Sequence, residues 1–187
     1  MKRILSFILA ALCILSLSAQ TRHLRFMGIP LDGTINNFQA KLATKGFTPD
    51  VVANRSIKDP VRAFKNGTFA GEDATIFVYY NARTKNVYRA KAVIDCTDKS
   101  HLERLFAKFR DNIGEKYTLR SDFIVDKHNG YDSGSYLIYN FTYDLIIGVI
   151  GLYASDAITY PYDPSLHIDY TDRVNYLKND TQNSEDL

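Results

Sequence analysis

The sequence lacks the features that define several protein classes. Among 187 residues there are no tryptophans, two cysteines and five prolines, which excludes collagen-like repeats and disulfide-dense small domains. Apolar residues make up 45% of the chain and charged residues 24%. This balance supplies a buried core and differs from that of disordered proteins, and the length fits one domain.

An excess of one charge sign is also missing. The chain has 23 basic and 21 acidic residues, and loss of Lys2 and Arg3 from the N-terminus would leave the two signs equal. Proteins that bind nucleic acids neutralise phosphates with a basic excess. We therefore expect no nucleic acid partner.

The N-terminal residues have the three-part pattern of a secretory signal. Lys2 and Arg3 precede an apolar run over residues 4–15, and small residues lead up to Ala19. A membrane span needs about 20 apolar residues, more than this run provides. The pattern predicts a signal peptide over residues 1–19, cleavage after Ala19, a secreted or periplasmic protein and no transmembrane segment in the mature chain.

Loss of that segment would leave a single cysteine. Cys13 lies in the apolar run, so Cys96 would remain alone and no internal disulfide could form. No histidine or basic cluster lies beside Cys96 in the sequence to activate its thiol. We interpret Cys96 as a small buried apolar residue.

Two segments have helical periodicity. Ile35, Phe38 and Leu42 share one face of a helix that Thr34 caps and Gly46 ends. In the second segment, Ser100 and Glu103 form a capping box and Gly114 is the expected end. The apolar stripe of the second helix consists of Leu102, Leu105, Phe106, Phe109 and Ile113.

Alternating or apolar segments predict strands between and after the helices. They cover residues 23–29, 61–70, 74–80, 86–94, 117–125, 135–143, 145–153 and 166–171. Residues 48–60 are expected to be a loop. In the strand over residues 86–94, Arg89 and Lys91 fall on the face opposite Ala90, Ala92 and Ile94, so this strand has one solvated side.

This order predicts an α+β fold, in which an antiparallel sheet carries two helices on one face. The helix-plus-strands unit occurs twice, which suggests a duplication. We expect a single domain over residues 20–178, with halves at 20–96 and 97–178, followed by a disordered polar tail over residues 179–187.

The segment from Phe26 to Thr34, Phe-Met-Gly-Ile-Pro-Leu-Asp-Gly-Thr, followed by Lys45-Gly46-Phe47, resembles the opening of a group of uncharacterised secreted or periplasmic proteins of Bacteroidetes-type bacteria. The resemblance implies export and an α+β fold, and it brings no catalytic residue. The order of elements is loosely similar to that of β-lactamase-inhibitor-protein-like folds and of small outer-membrane-assembly lipoproteins, whose members bind proteins.

One cluster could hold a metal ion. On a strand, His167 and Asp169 would project from the same face, with Asp163 nearby in sequence. Leu166, Ile168 and Tyr170 would then face inward, so the polar pair is also what any exposed strand face looks like. A metal-dependent hydrolase using Asp163, His167 and Asp169 is therefore an alternative hypothesis.

Tyrosine is the most unusual feature of the composition. All 13 tyrosines lie between Tyr79 and Tyr176, and tyrosine suits both binding surfaces and the rim of a core. From their strand positions we select Tyr79, Tyr139, Tyr143 and Tyr153 as candidate contacts.

The resulting hypothesis is an exported envelope binding module. It would recognise a protein, peptide or glycan through a tyrosine-rich sheet surface, without a cofactor. Besides the hydrolase, a structural envelope component is the other alternative.

Export is directly testable. In a Gram-negative host, we expect the protein recovered from the periplasm to begin at Gln20, because cleavage follows Ala19. N-terminal sequencing measures this. Recovery of a cytoplasmic chain that retains Met1 would contradict the prediction.

Overall fold

The fold comes from a computed structural model, which describes residues 23–58, 60–117, 126–128, 131–140, 145–155 and 164–184. The strands are β1 (Arg25–Phe26), β2 (Ile29–Pro30), β3 (Thr48–Pro49), β4 (Val61–Phe69), β5 (Glu72–Tyr80), β6 (Val87–Asp95), β7 (Asp126–His128), β8 (Tyr131–Asn140), β9 (Leu145–Ser155) and β10 (Ser165–Asp172). The helices are α1 (Ile35–Ala43), α2 (Val51–Ser56), α3 (Lys99–Lys116) and α4 (Arg173–Ser184).

The large sheet joins two runs of sequential strands. Its order is β3-β4-β5-β6-β10-β9-β8-β7, and every neighbouring pair is antiparallel. Helix α1 precedes the first four strands and α3 precedes the last four, so the predicted repeat of a helix and its strands is present in the order of elements. The halves meet where β6 pairs with β10, with Ala92 opposite Ile168. The predicted α+β fold with an antiparallel sheet is confirmed.

Helix α1 forms as its sequence predicts. Thr34 caps it by accepting a hydrogen bond from the backbone N–H of Asn37, and the three apolar residues of its stripe are buried. Gly46 follows with a φ of 88° and directs Phe47 into the core. A Cβ on Gly67 of β4 would lie 2.6 Å from the Phe47 ring, so glycine is required there.

Helix α3 differs from its prediction at both ends. Asp98, rather than Ser100, caps it and accepts a hydrogen bond of 2.8 Å from the backbone N–H of His101. The helix continues through Gly114 to Lys116, because one glycine lowers helix propensity by only about 1 kcal/mol. All five residues of the predicted apolar stripe are buried.

Residues 48–60, expected to be a loop, contain β3 and α2. Asp50 caps α2 by accepting hydrogen bonds from the backbone of Val52 and Ala53. The Asn54 side chain then accepts from the N–H of Ala63 at 2.8 Å and donates to its carbonyl at 2.9 Å. The amide thus takes the place of a neighbouring strand at this position of β4, which protects the sheet edge from pairing with another chain.

Helix α4 begins at Arg173 and continues to Ser184, so its second half lies in the segment over residues 179–187 that the sequence predicted to be a disordered tail. Asn175 donates from its amide to the carbonyls of Leu31 and Val87 at 2.8 and 3.1 Å. Asn81 donates to the Asn179 side chain at 2.8 Å. These polar contacts link α4 to segments that are distant in sequence. The apolar pattern of the sequence did not predict the contacts.

One face of the sheet forms the core. On β5, the side chains of Ile76, Val78 and Tyr80 are buried, whereas Phe77 and Tyr79 between them are half-buried. The buried set packs in one cluster with the stripes of α1 and α3. Both helices therefore cover the same face, as predicted, and the opposite face carries no helix among the described residues.

Cys96 is buried, as interpreted from the sequence, and burial raises the pKa of its thiol. None of the helices in the described ranges combines the length and the apolar character needed to cross a membrane.

A buried carboxylate ties the first described residues to α4. Asp172 is fully buried and accepts hydrogen bonds from the backbone N–H of Leu24 at 2.7 Å and of Asn175 at 2.9 Å. The His23 ring lies 3.1 Å away, from Nδ1 to Oδ1. This hydrogen bond raises the pKa of His23 above 6.5, against the opposing effect of burial.

The raised pKa makes stability depend on pH. Because the folded chain holds the His23 proton more tightly than the unfolded chain, the contribution is complete below pH 6.5 and is lost as pH rises through the folded-state pKa. We expect the stability advantage of the wild type over His23→Gln to shrink from about pH 6 to about pH 9. Urea unfolding across this range measures it. His101→Gln is the control, and a pH-independent difference for His23→Gln would contradict the assignment.

Candidate binding face of the sheet

We name the uncovered side of the four central strands the open face. Its side chains come from β5, β6, β10 and β9, whose registers place them in adjacent rows. The members are Phe77, Tyr79, Arg89, Lys91, Tyr153, His167 and Asp169.

The centre of the open face is an ion pair. The Arg89 guanidinium donates from Nε to both Asp169 oxygens, at 2.8 and 3.0 Å, and from Nη2 to Oδ2. Asp169 is only 7% exposed although none of the described helices covers it. The carboxylate raises the pKa of Arg89, so the guanidinium is charged throughout the physiological range.

An aromatic ring lies on one side of this pair. The guanidinium carbon of Arg89 is 4.5 Å from the centroid of the Tyr79 ring, which is cation–π geometry. Burial is the main cause of the raised pKa of Tyr79. The phenol, guanidinium and carboxylate therefore form a preorganised group.

A second aromatic pair lies on the other side. Tyr153 and His167 stack with centroids 4.8 Å apart and an interplanar angle of 26°. Burial, with a smaller effect from Lys91, lowers the pKa of His167 to about 4, so the imidazole is neutral at physiological pH. Nε2 lies 2.9 Å from the Ser165 hydroxyl, and buried Nδ1 has no hydrogen-bond partner among the described residues.

Lys91 carries the remaining charge of the open face. Its ammonium lies 5.3 Å from the centroid of the Phe77 ring, and burial lowers its pKa. Within the described ranges no carboxylate forms a salt bridge with it. Lys91 is therefore a cation of the open face without a salt bridge to a described carboxylate.

The Phe77–Lys91 pair and the Tyr153–His167 pair occupy equivalent positions in the two halves of the sheet. Lys91 and His167 each come one residue before the Ala92–Ile168 pair at which the halves meet, and they lie opposite Phe77 and Tyr153 respectively. Each half thus contributes one aromatic ring packed against one nitrogen base.

The sequence identified part of this face. The structure places Tyr79 and Tyr153 on either side of the ion pair. Tyr139 lies on the same face but farther away, because Ser133 is the residue of β8 that pairs with Tyr153 and Tyr139 is near the other end of that strand. Tyr143 lies outside the described residues. Arg89 was missed as a contact, although the alternation of β6 had already placed it on the solvated side.

The metal cluster stays a prediction. His167 and Asp169 project from one face of β10, as expected, and Asp163 lies outside the described residues. A cation between them would have to displace Arg89 from the Asp169 carboxylate. Among the described residues, no group of three or more His, Cys, Asp or Glu side chains is arranged to hold a metal ion.

Comparisons of the chain with protein-family models, with curated proteins and with solved structures found no match.

The ion pair gives a stability prediction. Asp169→Leu should lower the free energy of unfolding by about 3 kcal/mol, because it leaves the Arg89 guanidinium half-buried without an acceptor. Adding Arg89→Leu should recover part of that loss. Urea unfolding of the two single variants and the double variant measures the coupling.

The exposed ion pair between Lys108 and Glu72 provides the matched control, since Glu72→Ala should cost only about 0–1 kcal/mol. Additive effects of Asp169→Leu and Arg89→Leu would show that the two side chains do not stabilise one another.

Proposed function

We propose that this chain is an exported protein-binding module of the cell envelope, and that its open face receives a protein surface carrying a carboxylate. The observation that carries the proposal is the preformed group of Tyr79, Arg89, Asp169 and Tyr153 on the side of the sheet opposite the helices.

The composition of the open face supports a protein partner. Tyrosine and arginine dominate the energetically important centres of protein interfaces, where water is excluded around them. Here Tyr79 and Arg89 already contact one another, and Asp169 fixes the guanidinium. A partner would thus immobilise few side chains, which lowers the entropic cost of association.

The charge of the face supports an acidic contact. Asp169 is neutralised by Arg89, which leaves Lys91 as the unneutralised cation in a half-buried position. A carboxylate from a partner would stabilise the charged form of Lys91, which burial disfavours.

A glycan is the alternative occupant that the sequence left open. Sugars stack on exposed aromatic ring faces, but Arg89 covers one face of Tyr79 and His167 covers one face of Tyr153. The remaining faces are half-buried, so the geometry favours a protein over a glycan.

The sequence supports the location. The N-terminal pattern is typical of an export signal, and the resemblance to secreted Bacteroidetes-type proteins and to protein-binding folds agrees with an envelope binding module.

Site-specific photo-crosslinking tests the proposal. A benzophenone amino acid at Ser135, an exposed residue beside this face in the register, should yield a defined protein adduct in cells that produce the chain. The same group at Lys41, an exposed residue of α1, should not yield it.

Charge reversal sharpens the result. Lys91→Glu should weaken the adduct about tenfold, since attraction becomes repulsion, whereas Lys58→Glu, an exposed change elsewhere, should leave it unchanged. A polysaccharide adduct, an equal adduct from Lys41, or no adduct from Ser135 would overturn the proposal.

A further inference from the structure

A cleft lies on the other side of the sheet from the open face. It has a volume of about 320 Å³ and opens between the β1–β2 turn, the β4–β5 turn and the C-terminal half of α3. Small-molecule sites range from about 300 to 1,000 Å³, so this cleft can accept only a small ligand.

The floor of the cleft is apolar. Phe69 of β4 and Phe109 and Ile113 of α3 line it, and each of these side chains is less than a tenth exposed. The rings of Phe69 and Phe109 stack with centroids 5.7 Å apart. This floor suits a hydrocarbon chain or an aromatic ring.

A tyrosine side chain also lines the cleft. Tyr170 is 7% exposed, and its hydroxyl, which no other described residue hydrogen-bonds, is not a fully buried atom. Burial raises its pKa, so the phenol is protonated. The hydroxyl can therefore donate a hydrogen bond to an oxygen of a ligand in the cleft.

Among the described residues, the charged side chains that line the cleft are all basic. They are Arg25, Lys45 and Lys116. Arg25 donates from Nη1 to the carbonyl of Gly28 at 2.9 Å, which holds it at the β1–β2 turn. Lys45 and Lys116 are exposed and can move toward a bound anion.

Two strained turns border the same cleft. Met27 has a φ of 53° and Ala70 a φ of 51°, in the left-handed region that side chains other than glycine rarely adopt. Both residues line the cleft. Such strain is concentrated at ligand sites, where it holds the backbone in one shape.

We infer that this cleft binds a small amphipathic carboxylate. The hydrocarbon part lies on Phe69, Phe109 and Ile113, and the carboxylate lies at the basic rim. A ligand oxygen accepts a hydrogen bond from the Tyr170 hydroxyl. The inference uses residues separate from the open face and does not depend on the proposed protein partner.

Titration with octanoate tests the inference. Calorimetry on the full-length mature protein should show saturable binding of octanoate, and octylammonium should bind at least about tenfold more weakly because the rim repels it. Equal binding of octanoate and octylammonium, or no saturable binding of octanoate, would overturn the inference.

Charge variants locate the site. Lys45→Glu with Lys116→Glu should weaken octanoate binding about tenfold. Lys41→Glu with Lys58→Glu changes the net charge equally at exposed positions away from the cleft and should leave binding unchanged. All four residues are exposed, so folding is preserved, and thermal melting checks it. Equal losses in the two double variants would show that the cleft is not the site.

Tyr170→Phe tests the hydroxyl. It should weaken octanoate binding several-fold and leave the melting temperature nearly unchanged, because no protein hydrogen bond is lost. Tyr176→Phe, on an exposed residue of α4, is the control. Unchanged octanoate affinity in Tyr170→Phe would remove the hydroxyl from the proposed site.

Discussion

Burial of one side of the antiparallel sheet beneath α1 and α3 is the constraint on which the rest of the structure depends. Each large apolar side chain that enters such a core contributes about 1.5–3 kcal/mol. The alternation of the strands then sends every second residue to the other side. The described part of the chain therefore has a second sheet surface that none of its helices covers.

The open face meets this requirement with polar and aromatic side chains that satisfy one another. Arg89 and Asp169 neutralise each other, and Tyr79 covers the guanidinium. A buried ion pair adds little net stability, because desolvation offsets the attraction between the charges. On our proposal, the pair holds the guanidinium and the carboxylate in fixed positions on the open face for recognition.

The sequence was sufficient for features that depend on local periodicity. The apolar stripes of α1 and α3 predicted which residues are buried, and the alternation of β6 predicted which side of that strand is solvated. Local signals failed where contacts outside the element hold it in place: the Asn54 amide ties α2 to Ala63 of β4, and Asn175 anchors α4 through Leu31.

The candidate sites were predictable only in part for the same reason. Arg89 and Asp169 are 80 residues apart, and only the pairing of β6 with β10 brings them together. Tyr79 and Tyr153 could be selected from strand positions, but their stacking partners could not. The cleft was still harder to predict from the sequence, since the residues that line it come from two turns, a helix, a loop and three strands.

Hydroxyl-radical footprinting of the native protein, mapped by mass spectrometry, tests most directly that helices cover only one side of the sheet. The structure predicts that Phe77, Tyr79 and Tyr153 are oxidised faster than the buried rings of Tyr80, Tyr136 and Phe26. Equal protection of both sets would mean that the open face is covered and would contradict the account.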